Sequence, residues 1–405
     1  MGKRRVSTIV LNALLIFSIC FVCFPISKAL AKDQITAGFS MALTGIYSPM
    51  AVGQMGSYQL WEEVVNQQGG IYVKEYGKKL PIKLVYYDDK SQAEAAVKIY
   101  EKLITDDKVD VLLSPQSTTI HFAIAPLAEK YKVPIVGSTA ASVKLREVSN
   151  RYFWFITACV PDRQMKALVD LLKSLGVKKV AVIYLQDLFP RENLQFLQPE
   201  LKKAGIQTVV TKDYPPGVKD LTTLLTEVKG KNPEAVIALC YPADAFLITT
   251  QAQEVGLDPK LLFELVGPLI DVFAPKFGGA SDGITAMGHW SPKGRWPGAK
   301  EFYDRYVAKF NKKPDFLDSA LSYSECQIVQ QAIEGVGSLD RGKLRDFIAT
   351  KEFQTINGPM KFTKSENLQT PSMVLQLQKG DVEVIWPEKE ATAKPLYPKP
   401  GWPKK

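Results

Sequence analysis

Apolar and polar positions along this chain follow two alternating periods. Short β-branched runs, the mark of buried strands, are each followed by a longer stretch that keeps its apolar residues on one face, the mark of helices. In the first part the strands fall at 35–41, 80–87, 109–113, 133–136 and 153–158. The helices between them fall at 49–66, 91–105 and 118–131. From Pro161 the alternation restarts, with helices at 162–175, 191–203, 218–229 and 243–255 and strands at 180–185, 206–210, 235–239 and 261–266. Three more helices (297–310, 317–334, 341–350) precede a hairpin, 370–378 and 381–386, turning at Lys379-Gly380. The pattern predicts an α/β fold of two similar lobes, each a mainly parallel sheet flanked by helices.

Within this pattern two successive strand-to-helix turns are rich in hydroxyls. One is Ser114-Pro115-Gln116-Ser117-Thr118-Thr119 and the other is Gly137-Ser138-Thr139-Ala140-Ala141-Ser142. Open parallel sheets bind ligands outside the carboxyl ends of their strands. Free N–H groups at a helix start, with short hydroxyls beside them, form a neutral cradle for an anion. The plainer role of such residues is helix capping. Gly53 and Gly56, early in the first helix, have two readings: close approach of a ligand, or close packing of that helix. Asp88-Asp89 reads as a strand-end cap, since adjacent strand residues point to opposite faces.

The start of the chain reads as a secretory signal, residues 1–31. Lys3-Arg4-Arg5 is basic, 9–24 is apolar, and Ala29-Leu30-Ala31 is a cleavage site. No later apolar run has spanning length. Removing the four basic residues of the leader from the net charge of +9 leaves +5, with both signs interspersed. That is a solvated surface and not a nucleic-acid footprint. The cysteines left are Cys159, Cys240 and Cys326, too far apart and odd in number for a disulfide framework. The two histidines, His121 and His289, have no partners in metal-ligand spacing; His121, just after the first hydroxyl turn, reads as a solvent-facing helix residue, with reach to a ligand as its alternative role. No nucleophile elbow, Walker loop or dinucleotide fingerprint occurs. A binder without cofactor or metal is favoured over an enzyme; a hydrolase of small amides would need a nucleophile–base pair that the sequence lacks.

Four stretches carry a resemblance. They are Ala42-Leu43-Thr44-Gly45 through Gly53, Gly56 and Glu63 to the segment 66–71; Tyr87-Asp88-Asp89-Lys90-Ser91; the two hydroxyl turns with the segment 125–131 and Val133-Pro134; and Gly358-Pro359-Met360-Lys361-Phe362. In order and spacing, the chain resembles the leucine/isoleucine/valine-binding family of ABC-transporter substrate-binding proteins, the type I periplasmic-binding-protein fold. The resemblance implies two lobes joined by three hinge crossovers, near 155–157, 286–289 and Asn357. The N-terminal lobe would then hold 32–156 and 289–356, and the C-terminal lobe 157–288 and 357–390. A Pro/Lys-rich tail, 391–405, would be an irregular surface segment.

The resemblance also implies a site. Ser114, Gln116, Ser117 and Thr118 in the first turn, with Ser138, Thr139 and Ser142 in the second, would hold a ligand carboxylate. Asp162 matches an aspartate near the ligand's ammonium, with an N-cap as its alternative role, and Tyr241 matches a tyrosine that covers the ligand. Two departures make the second lobe more apolar. Leu269 follows Gly267-Pro268 where an acid is usual, and Leu188-Phe189 replaces a tyrosine. An ammonium loses a partner there, unless Asp271 supplies it. The implied function is extracytoplasmic or periplasmic solute binding by hinge closure on a small carboxylate. A hydrophobic or branched-chain amino acid comes first, and an aromatic or aliphatic acid without the amino group second. The implied partner is an ABC permease of the inner membrane with its ATPase, and the protein would be a monomer. A ligand sensor for a membrane receptor is the alternative use of the same site.

Overall fold

The computed structural model describes residues 32–147, 151–157 and 160–403. The chain opens with β1 (Ile35–Met41), α1 (Ser48–Gln67), the small hairpin β2 (Ile71–Val73) and β3 (Lys78–Leu80), β4 (Ile82–Asp88) and α2 (Ala93–Thr105). Then come β5 (Val111–Leu112), α3 (Thr118–Tyr131), β6 (Ile135–Gly137) and β7 (Phe153–Phe155). The second series is α4 (Pro161–Ser174), β8 (Lys179–Leu185), α5 (Leu188–Lys203), β9 (Gln207–Tyr214), α6 (Thr222–Gly230), β10 (Ala235–Leu239), α7 (Pro242–Val255), β11 (Leu261–Glu264), α8 (Phe273–Phe277) and β12 (Ile284–Gly288). The chain ends with α9 (Ala299–Phe310), α10 (Ser319–Val336), α11 (Arg341–Thr350), β13 (Glu352–Thr355), β14 (Gly358–Thr363), β15 (Glu366–Asn367), β16 (Met373–Gln378) and β17 (Asp381–Trp386).

The two periods of the sequence sort these elements into two lobes. In the first, β1 lies between β4 and β5, all parallel, and β6 pairs in parallel with β7. In the second, β9, β8, β10, β11 and β12 run parallel, and the β16–β17 hairpin adds antiparallel to β12. The strand β10 is buried along its whole length, as a central strand covered by helices on both faces must be. At the sheet ends Asp88 accepts from the Leu43, Thr44 and Lys90 N–H groups, and Asp89 accepts from the Ser40 hydroxyl and the Ser91 N–H. These two acids tie β1 to the end of β4.

One boundary differs from the sequence reading. The third crossing was expected near Asn357, with 357–390 in the second lobe. Instead β14 folds back on β13, and β15 pairs with both β14 and β7. The chain therefore stays with the first lobe's strands through Asn367 and crosses only before β16. The reason is local: Ile356 and Asn357 form a two-residue hairpin turn between Thr355 and Gly358, which are ladder partners. Asn357 braces an earlier crossing, donating to the His289 carbonyl (3.3 Å) and accepting from the Ser324 hydroxyl (2.9 Å).

The tail is irregular beyond a short turn at Glu388–Glu390, but it is strapped down. The Lys399 side chain is buried, its Nζ 2.5 Å from the Asp258 carboxylate and over the Trp402 ring. The Trp402 indole donates to the Leu257 carbonyl (2.8 Å). Cys240 and Cys326 are buried free thiols, and Cys159 lies outside the described residues.

Candidate functional site

The carboxyl ends of the parallel strands of both lobes point at one cleft, and the residues just beyond them line it. From the first lobe come Gln116, Ser117 and Thr118 after β5, Thr139 and Ala141 after β6, and Thr157 after β7. From the second come Phe189 after β8, Tyr241 after β10, Val266 after β11, and Met287 and His289 at the end of β12. Met50 of α1 and Leu317 and Asp318, just before α10, complete a cavity of about 400 Å³ including its mouth.

The first-lobe wall is built around Ser117. Its φ of 79° turns the chain sharply out of β5 and into α3. That conformation is costly for a non-glycine residue, and four contacts hold it. The Ser117 N–H donates to Gln116 Oε1 (2.6 Å) and to the Thr139 hydroxyl (3.2 Å). Its own hydroxyl caps α3 by accepting from the Ile120 N–H (3.3 Å), and its carbonyl lies 2.7 Å from His121 Nδ1. The second turn is locked to the first. The Thr139 hydroxyl donates to the Pro115 carbonyl (3.1 Å), and the Ala141 N–H donates to the Thr118 hydroxyl (3.1 Å). The Thr118, Thr119 and Thr139 N–H groups have no acceptor among the described residues, and the positive end of the α3 dipole stands behind the first two.

His121 departs from the sequence expectation. It is fully buried, packed edge-on to Phe153 and against Gly137, where a Cβ would stand 2.8 Å from the imidazole. Burial pushes its pKa down to about 4, so the ring is neutral and supports Ser117 from behind.

Ser114 and Ser138 also lie behind the wall. Both are fully buried and neither lines the cavity. Their hydroxyls, 3.1 Å apart, belong to a network centred on Glu325 of α10. That carboxyl accepts from the Ser114 N–H (2.6 Å), the Ser114 hydroxyl (2.8 Å) and the Tyr58 hydroxyl (2.7 Å). Burial raises the Glu325 pKa to about 7, against the lowering effect of those donors. The two serines thus fix the turns that carry Gln116, Ser117 and Thr139.

The second-lobe wall is mostly apolar. The Phe189 and Tyr241 rings are buried against the cavity. The Tyr241 hydroxyl donates to Asp187 (3.0 Å), which also accepts from Tyr47 of the first lobe (3.4 Å). The Tyr47 and Tyr241 rings meet edge to face at 6.0 Å, so this trio joins the lobes across the cleft. A second tie runs from the Val143 N–H to Glu192 of α5 (3.0 Å). Leu269 is buried in a smaller adjoining void that shares Met50, Val266, Met287, Leu317 and Asp318 with the cavity.

Asp162 does not line the cavity. It takes both guanidinium arms of Arg146 (2.7 and 3.2 Å), and Arg146 and Arg163 both pair with Glu366. Nor is it an N-cap: that position in α4 is Val160, and Asp162 sits in the first turn. It belongs to an ion cluster where the chain passes between lobes. Asp271 does not line the cavity either.

Asp318 was not anticipated. An acid just ahead of a helix reads as a cap, but its side chain makes no cap bond and lines the cavity. Its single hydrogen bond comes from Gln116 Nε2 (3.1 Å). Burial, and then the Asp315 charge, push its pKa well above the usual carboxylate range. Among the described residues no group of histidines, cysteines and acids is arranged to hold a metal ion.

This clamp of paired lobes has known counterparts. A family model described as periplasmic binding protein matches residues 34–381. The chain belongs to that family. A Leu/Ile/Val-binding protein homolog of Brucella suis is 22% identical over 354 residues, covering 83% of this chain and 87% of that protein. Among solved structures, the branched-chain amino acid transporter substrate-binding protein LivJ of Streptococcus pneumoniae, in complex with isoleucine, superposes with a TM-score of 0.79 at 24% identity. That match covers 88% of this chain and all of LivJ. An ABC transporter solute-binding protein of R. palustris, in complex with benzoate, gives 0.77 at 19% identity, covering 91% and 98%. These relatives are substrate-binding proteins and not enzymes, and the family implies an extracytoplasmic setting. No helix among the described residues is long and apolar enough to cross a membrane.

Proposed function

We propose that this periplasmic binding protein captures a small carboxylate ligand in the interlobe cleft, a hydrophobic amino acid foremost, and closes on it. The observation that carries this reading is that Ser117 and Thr118 at the start of α3, together with Thr139, line a cavity whose opposite wall is Phe189, Tyr241, Val266 and Met287, with the Thr118 and Thr139 N–H groups left without acceptors among the described residues. One end of the ligand meets donors and a helix dipole, and the other meets apolar surface. Gln116, Ser117, Thr118 and Thr139 hold the carboxylate. Phe189, Tyr241 and Leu269 shape the apolar end. Ser114 and Ser138 position the turns, and Asp162 serves the hinge. Closure exchanges an open state for a closed one, so affinity is the difference between the two. The closed form then delivers its ligand to an ABC permease with its ATPase, after export by the cleaved 1–31 signal.

An acid without the amino group is the second reading, favoured by the buried Leu269 where the family's amino-acid binders usually carry an acid. Ligands named for the structural relatives, isoleucine and benzoate, span both classes. Calorimetric titration with hydrophobic amino acids and aromatic and aliphatic acids tests the proposal. Saturable binding of at least one is expected; absence of heat with all of them overturns the carboxylate reading.

A further inference from the structure

A zwitterionic ligand needs a negative group facing its ammonium, because an unpaired charge in a closed cavity is expensive. The acids that sequence reasoning offered are elsewhere. Leu269 stands where the resemblance implies an acid, Asp162 is held by Arg146, and Asp271 does not line the cavity. Asp187 is close to the mouth but serves Tyr241 and Tyr47. Asp318 is the one carboxylate among the described residues that lines the cavity, and it does so from the first lobe.

We propose that Asp318 recognises the ligand's ammonium, so that the first lobe holds both poles of an α-amino acid and the second lobe reads its apolar side chain. This rests on the carboxylate reading given above. The spacing of the poles supports it. One side chain, Gln116, bridges them: its Oε1 takes the Ser117 N–H at 2.6 Å and its Nε2 reaches the Asp318 carboxylate at 3.1 Å. A carboxylate on the Ser117–Thr139 turns therefore lies within one amide's span of the acid, the scale on which an α-amino acid carries its two charges.

The unmet valence of Asp318 supports it as well. The neighbouring Asp315 is fully occupied, accepting from the Leu317, Asp318 and Ser319 N–H groups and from the Ser319 hydroxyl. Asp318 is 7% exposed and receives one neutral donor. It also sits beside the charge of Asp315. The histidine on the cavity, His289, is driven to a pKa of about 3 by burial and then by Arg163, so it brings no cation near neutral pH. An incoming ammonium would supply the missing counter-charge.

The test pairs each hydrophobic amino acid with its des-amino acid: leucine with 4-methylpentanoate, and phenylalanine with 3-phenylpropanoate. Affinities are measured by calorimetry on the wild-type protein and on Asp318→Asn. The wild type is expected to prefer the amino acid by about a hundredfold or more, the scale set by loss of one partner of a buried charge pair. Asp318→Asn is expected to lose that preference while still binding the des-amino acid, which also shows that the variant is folded. Asp318→Glu, which keeps the charge, is expected to retain part of it. A preference undiminished in Asp318→Asn overturns the proposal. So does a wild-type protein that binds both members of a pair equally, a result independent of any variant and one that leaves the carboxylate reading standing. Binding of neither member of any pair overturns the proposal, and the carboxylate reading falls with it only when no acid of the wider panel binds.

Discussion

Glu325 shows how a side chain far along the chain sets the geometry of the binding turns. Its folded-state pKa is about 7 against an ordinary 4.5, so the folded protein keeps a proton that the unfolded chain has already released. Stability from this group is present at low pH and lost as pH rises from about 4.5 to 7. Glu325→Gln lacks this loss. Relative to wild type it should gain roughly 2 to 3 kcal/mol between pH 5 and pH 8, measured by urea unfolding at each pH. Identical pH responses would contradict the assignment. Thr139 acts in front of the wall. Thr139→Val deletes one of the two acceptors of the Ser117 N–H and the bond to Pro115. Affinity for the carboxylate should fall about tenfold or more, and calorimetry reads it directly. In the sequence, Ser114 and Ser138 read as carboxylate contacts beside Thr139, the foremost candidate. Their burial follows from Glu325, more than 180 positions away, and no local pattern announces such a partner.

At the scale of elements, the two hydrophobic periods were enough to place α3 at its observed bounds, Thr118–Tyr131, and to separate the two parallel sheets. What they could not show is how an element end is used. The sequence pattern begins a helix at 317, whereas α10 starts at Ser319 after Asp315 and Asp318; Asp315 caps it, and Asp318 lines the cleft. The same junction explains a glycine. A Cβ at Gly53 of α1 would overlap the Asp315 carboxylate and the Ser319 hydroxyl, and one at Gly56 would overlap Tyr306 of α9. Packing of helices, not approach of a ligand, accounts for both. Gly53→Ala should cost about 1 to 3 kcal/mol in thermal unfolding. It should also weaken amino-acid binding, because the displaced Asp315 carries the segment that bears Asp318. Unchanged stability and affinity together would show that α1 does not brace the α10 start.

At the scale of the whole molecule, the crossings and the cleft mouth divide two tasks. Arg146, Asp162, Arg163 and Glu366 form an ion cluster at the passage between lobes, while Tyr47, Asp187 and Tyr241 join the lobes at the mouth. Arg146→Met removes the shared cation from the first cluster and leaves Asp162 without its bidentate partner. All ligands should then bind a few-fold more weakly with their order of preference intact, because the closed state and not the pocket is changed. Small-angle scattering with and without saturating ligand should show a more open free form. A changed order of preference would instead return Asp162 to the ligand.

The central claim is that the α3 first turn and the Thr139 turn hold a ligand carboxylate within a closing two-lobed cleft. Its most direct test compares a bound amino acid with its own primary amide, leucine against leucinamide or phenylalanine against phenylalaninamide, by calorimetric titration of the wild-type protein. The amide keeps the side chain and the ammonium but offers no negative charge to the helix start, and it places N–H donors against N–H donors. A loss of about a hundredfold or more is expected. Equal affinity for acid and amide would contradict the claim.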